Sequence, residues 1–278
     1  MTEPNNAPHR LPFFGMLAVC LLTLVLRILD LAFFTDPATG FVTNGFYFAR
    51  IALPLVAVAL SYLASGGVAR RPRALLGPCT GLGICLLLLT AALAATALLS
   101  LPELLAGSVT ALIGAVAALL SALWALLWGV RAFGPLADPT RNLPHTLAAL
   151  PGTAFFLWTM INRFAVAPAS VMRLGCTLRV LSAAAALLFL AMVLRVFLTP
   201  GLPVGHAVFA AGMIAFMLCT CHELPQTVFA FFHGGATMAE LAASLAMGLW
   251  GVAGLVCAWY ATGEGLHLLP DHMYSRKK

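Results

Sequence analysis

The sequence predicts an all-α protein, a polytopic transmembrane helix bundle of eight helices. Three observations carry this reading. Of 278 residues, 62% are hydrophobic and only 9% are charged, whereas a soluble domain carries about 25% charged residues. So few charges cannot cover a soluble surface, and the excess apolar area has to meet lipid. The apolar residues also come in long blocks, where a soluble helix would show short periodic stripes. Finally, the basic residues sit at the ends of those blocks, as membrane orientation signals do.

A spanning helix needs about 20 mostly apolar residues. The first stretch that qualifies, 13–34, is longer than the ~7–15 residue core of a cleavable signal. No small-x-small site follows it, so it is expected to stay as the first helix. The next three are 45–65, 79–100 and 106–130; Gly81 and Gly83 in the third suit close helix packing. The fifth, 147–164, is short and contains Pro151 and Asn162. The sixth is 171–198. The seventh, 204–232, is long and contains Glu223 and Pro225. The eighth, 238–261, holds small residues from Gly248 to Gly254. Turn-forming residues at 37–40, 135–144 and 200–203 mark short connections. No segment outside the blocks is long enough to fold by itself, so 1–278 reads as one membrane domain.

With eight helices, Arg10, Arg70, Arg71, Arg73, Arg131, Arg141, Arg276, Lys277 and Lys278 fall on one side. The other side holds only Arg163 and Arg173. The positive-inside rule then places both termini in the cytoplasm. A seven-helix chain would send the basic C-terminus outside. The formal net charge of +6 is spread over these helix ends and forms no basic domain, so no nucleic-acid partner is expected.

Two halves, 11–132 and 145–262, share some features. Each has an arginine near the outer end of its first helix, Arg27 and Arg163. Each has another at the start of its second, Arg50 and Arg179. A parallel four-plus-four repeat is one reading of this, with an axis along the membrane normal. Chance likeness is the other, and the unequal spacing within the two pairs favours it.

Charge inside a membrane is the most informative signal. Each such group costs at least ~2.5–3.5 kcal/mol at the bilayer centre, so it is paired, buried or functional. The candidate site residues are Arg27, Asp30, Arg50, Arg163, Arg179, His222 and Glu223, all in the outer half of the predicted topology. Arg195 lies near the inner end of its helix and is expected to snorkel. Arg27 and Asp30 are three residues apart and can face each other. Four arginines against two carboxylates suit an anionic group, because a guanidinium presents its donors in pairs. Structural pairing of the same charges is the competing reading.

In the seventh stretch, Cys219-Thr220-Cys221-His222-Glu223-Leu224-Pro225, an α-helix would place Cys219, His222 and Glu223 on one face. The spacing matches no zinc pattern, and neither metal nor cofactor is expected. The seven cysteines lie in or beside apolar runs and read as packing residues. No catalytic motif stands out, so an enzyme is not the favoured reading. Asp36, Pro37 and Gly40 read as an outer turn.

The segments "LPGTAFFLWTMINRFAVAPASVMRLGCTLRVLSAAAALLFL", "FAAGMIAFMLCTCHELPQTVF" and "TDPATGF" resemble multi-pass membrane proteins without assigned activity encoded by gut Clostridia. The resemblance implies a bacterial cytoplasmic membrane and carries over no functional residue. The best functional expectation is a transporter-like or lipid-interacting protein with an outward-facing polar cavity. That cavity would take an anionic small molecule or lipid headgroup, with the bilayer as the general partner. The alternatives are a non-catalytic membrane subunit or sensor, and an intramembrane enzyme working through His222 and Glu223.

Overall fold

The computed structural model describes residues 10–36, 43, 47–68, 79–133, 146–165, 174–198 and 204–262. Among the described residues the chain forms eight helical rods. They are α1 (Leu11–Phe33), α2 (Tyr47–Ser65), α3 (Thr80–Leu105), α4 (Val109–Arg131), α5 (Thr146–Ala165), α6 (Leu174–Leu198), α7 (Gly205–Phe232) and α8 (Met238–Thr262). Six of these (α1, α3, α4, α6, α7 and α8) hold described stretches long and apolar enough to cross a membrane. The protein is an integral membrane protein of the multi-pass helical kind. The expected bounds hold to within a few residues, except that α3 runs on to Leu105.

Local chemistry explains the ends. Pro12 stands in the first turn of α1, where a missing N–H costs nothing. The Ser108 hydroxyl accepts from the Ala111 N–H at 3.3 Å and caps α4. Thr237 and Glu240 form a reciprocal capping box at the start of α8, with bonds of 2.9 and 3.2 Å. The turns before α4 and α8 use Gly107 (φ 84°) and Gly234 (φ 73°), a conformation that other residues rarely adopt. Pro151 lies inside α5, and Ser121 of α4 braces the turn that follows it. The Ser121 hydroxyl donates to the Pro151 carbonyl at 2.9 Å and accepts from the Phe155 N–H at 3.0 Å.

The packing is that of a bundle in lipid. On α4, Ala118, Ala122 and Ala125 turn inward with Trp124 and Trp128, while Leu119, Leu123 and Leu127 face outward. Small residues at the helix contacts let backbones approach, and large aliphatic ones meet the acyl chains. Two apolar clusters result. The larger joins α3, α4, α5, α6, α7 and α8 around the fully buried Trp250. The Trp250 ring lies 4.8 Å from Phe189 and 5.3 Å from Phe156, and its Nε1–H donates to the Ala186 carbonyl at 3.1 Å. The smaller cluster packs Phe13, Met16 and Cys20 of α1 against Phe209, Met213 and Met217 of α7. Helix α7 belongs to both clusters and is the most enclosed of the spans; α1 is the least.

Candidate functional site

The polar residues gather along one stretch of α7, and the local form of that helix decides how. Residues Gly205–Ala215 and Leu224–Phe232 are α-helical, but Phe216–Glu223 is a π-helix. Its i→i+5 bonds widen the turn. Helix α8 leaves room for this. The Thr220 hydroxyl donates to the Gly248 carbonyl at 2.8 Å. A Cβ at Gly251 would strike that same hydroxyl and come within 3.0 Å of the Ala215 carbonyl. The wide register continues to the N–H of Leu224, which reaches the Cys219 carbonyl. Pro225 has no N–H with which to continue it.

The π-helix overturns the expectation that Cys219, His222 and Glu223 share one face. Cys219 and Glu223 both face α6. The Cys219 thiol donates to the Ser182 carbonyl at 3.3 Å, and the Glu223 carboxylate accepts from the Ser182 hydroxyl. His222 instead lies on the stretch of α7 that packs against α1, four residues before Gln226, which holds Arg27. A longer turn advances each residue by a smaller angle than an α-helix does, so Cys219 and Glu223, four residues apart, line up on one side.

Two ion-pair groups flank α7. On the α5–α6 side, Arg163 donates through both terminal nitrogens to the Glu223 carboxylate, one of these bonds being 3.0 Å. Its Nη1 also donates to the Arg179 carbonyl at 2.8 Å and to the Ser182 hydroxyl at 3.2 Å. Glu223 is only 2% exposed, so this bidentate contact is what makes its charge tolerable. The Arg179 side chain reaches the Thr227 hydroxyl at 3.4 Å.

On the α1–α2 side, Asp30 takes two arginines. Arg27 Nη1 donates to one carboxylate oxygen at 2.7 Å, and Arg50 Nε donates to the other at 2.5 Å with Nη2 beside it. Arg27 Nη2 donates to the Gln226 side-chain oxygen on α7. Arg27 is 7% exposed and His222 is 4% exposed. Arg27 Nε, Arg50 Nη1 and both ring nitrogens of His222 are buried and have no hydrogen-bond partner among the described residues.

The structure thus brings all seven sequence-predicted residues to one level of the bundle, in two groups joined by α7. Three guanidinium groups pair with two carboxylates, and the fourth, that of Arg179, reaches the Thr227 hydroxyl. Sequence reasoning missed Ser182, Gln226 and Thr227. Gln226 and Thr227 stand three and four residues after Glu223, the spacing of helical neighbours, and that was the available signal. Most of the Asp36–Gly40 turn lies outside the described residues, as do the basic loops 70–73 and 135–144 and the basic C-terminus. The four-plus-four repeat is not shown: Arg27 and Arg50 share Asp30 from within their own helix pair, whereas Arg163 takes its carboxylate from α7. No family model, curated protein or solved structure matches the chain.

Proposed function

We propose that this is a transporter-like or lipid-interacting protein whose polar level around α7 takes an anionic group. One observation carries the reading: after both carboxylates are paired, guanidinium donors remain, and Arg27 Nε and Arg50 Nη1 are buried with no partner among the described residues. A buried donor without a partner costs about 1–3 kcal/mol, and more when charged. An anion entering between these arginines recovers that cost and neutralises surplus charge. The positive-inside count puts this level in the outer half of the membrane, with both termini in the cytoplasm. The resemblance described above favours a bacterial cytoplasmic membrane.

The test is thermal unfolding of the purified protein in a zwitterionic detergent and chloride-free buffer, against a panel of small anions and anionic lipids. The expected result is a rise in midpoint with at least one anion, reduced in an Arg50→Gln variant. A midpoint that no anion moves refutes the proposal. It would favour a non-catalytic subunit or sensor, a second reading that the ready-made pairs Arg163–Glu223 and Arg27–Asp30–Arg50 support.

A further inference from the structure

Six buried side-chain polar atoms have no hydrogen-bond partner among the described residues, and four of them belong to Arg27, Arg50 and His222. The remaining two, Trp124 Nε1 and Ser244 Oγ, lie elsewhere in the bundle. Native structures leave few such atoms, so a concentration of four around one carboxylate calls for a cause. Apolar packing does not supply it, because these side chains are polar and two of them are cations.

The three residues are close together. Arg27 and Arg50 grip opposite oxygens of Asp30, so their guanidiniums are separated by one carboxylate. His222 comes from the stretch of α7 that packs against α1, four residues before the Gln226 that holds Arg27. Gln226 holds the far terminal nitrogen of Arg27 and so fixes which of its donors stays free. That donor is the Nε–H. Arg50 has the two protons of Nη1 free, and a neutral imidazole has one N–H and one acceptor nitrogen. Unfilled capacity therefore consists of several donors and a single acceptor.

This pattern selects among anions. A carboxylate, a sulfate or a phosphate diester offers acceptors only and leaves one imidazole nitrogen of His222 unpaired. A phosphate monoester that keeps one proton offers two unprotonated terminal oxygens and one P–OH donor, and hydrogen phosphate offers three such oxygens with the same donor. Resting on the anion-binding reading above, we propose that Arg27, Arg50 and His222 form a site for a singly protonated phosphate monoester. The two arginines neutralise and orient its oxygens. His222 accepts from its P–OH and is the specificity-determining residue. Asp30 and Gln226 are positioning residues that hold the arginines. The same chemistry occurs in a phosphatidate headgroup and in free phosphate.

The closing experiment compares inorganic phosphate with sulfate, which has nearly the same shape and no proton near neutral pH. Binding is measured by the midpoint shift of the wild-type chain in zwitterionic detergent. In parallel, the protein is reconstituted in nanodiscs of phosphatidylcholine with phosphatidate or with phosphatidylglycerol, a diester. The expected result is at least about tenfold tighter binding of phosphate than of sulfate, or of phosphatidate than of phosphatidylglycerol, since one unpaired buried group costs about a factor of ten or more. Preference in the soluble pair points to free phosphate as the source, and preference only in the lipid pair points to a headgroup. A His222→Leu variant is expected to keep anion binding and lose the preference. Equal affinity within both pairs, or preference for sulfate, overturns the inference while leaving the anion reading standing. Absence of any anion effect overturns both. The wild-type comparison needs no variant, so the inference stays testable even if His222→Leu does not fold.

Discussion

Removing Arg163 is the sharpest test of how the polar level is held. Its guanidinium makes two bonds to the buried Glu223 carboxylate and one each to the Arg179 carbonyl and the Ser182 hydroxyl. Hydrogen bonds to charged groups are worth about 1.5–3 kcal/mol each, so the two carboxylate bonds alone suggest about 3–6 kcal/mol. Breaking a buried pair by deleting one partner costs about 3–5 kcal/mol, which agrees. Arg163→Leu and Glu223→Leu are each expected to cost that much. The double variant leaves no lone charge, so it should recover a large part of the loss, with a coupling energy of about 2–3 kcal/mol. The assay is a double-mutant cycle by reversible unfolding in mixed detergent micelles, followed by tryptophan fluorescence. A coupling within about 0.5 kcal/mol of zero, the scatter expected of independent sites, would refute the claim that this pair stabilises the bundle.

Other expectations follow from the same contacts. Ser182→Ala removes one neutral donor to Glu223 and should cost about 0.6 kcal/mol, the usual size of an interhelical polar contact in lipid; a loss as large as that of Arg163→Leu would shift the weight of the site onto the hydroxyl. Gly212→Ala drives a Cβ into the Gly254 backbone and should cost about 1–3 kcal/mol, broadening the gel-filtration peak. Gly15→Ala meets nothing within 4 Å in mid-helix and should stabilise by about 0.5–1 kcal/mol, so equal effects at the two glycines would contradict the packing described. In a Cys176→Ser chain, the six buried cysteines should resist a polar maleimide until the protein is denatured; rapid labelling of Cys219 or Cys221 would show that α7 is open to water. Fluorescent-protein and alkaline-phosphatase fusions at both ends of the chain should report a cytoplasmic location; an external terminus would invert the proposed orientation.

Much of the bundle is legible in the sequence because lipid simplifies the problem. Uninterrupted apolar length located eight helices, and the cost of intramembrane charge singled out the residues that meet around α7. The Arg27–Asp30 contact follows directly from a spacing of three on one helix. What was not legible depends on neighbours. The π-helix at Phe216–Glu223 exists against the glycines of α8, and nothing in its own letters marks an i→i+5 register. The partners of Glu223 therefore could not be read from α-helical periodicity. Ser182, Gln226 and Thr227 are neutral, carry little insertion cost, and so raise no flag in an apolar run. Helix α3 continues past Ser100 because Pro102 falls in the first turn of the resumed helix, where proline is tolerated.

The two ion-pair groups differ in when their members emerge from the ribosome. Asp30 is made between Arg27 and Arg50, so the first helical hairpin enters the bilayer with both arginines already sharing a carboxylate. Among the described residues, Arg163 meets the Arg179 carbonyl and Ser182 within its own hairpin, and its carboxylate, Glu223, comes 60 residues later. The α5–α6 hairpin therefore enters lipid with Arg163 and Arg179 still lacking their α7 partners, and α7 completes it. Truncation before α7 should leave α1 and α2 inserted and α5 and α6 poorly held, which makes α7 the step that commits the nascent chain to its final arrangement.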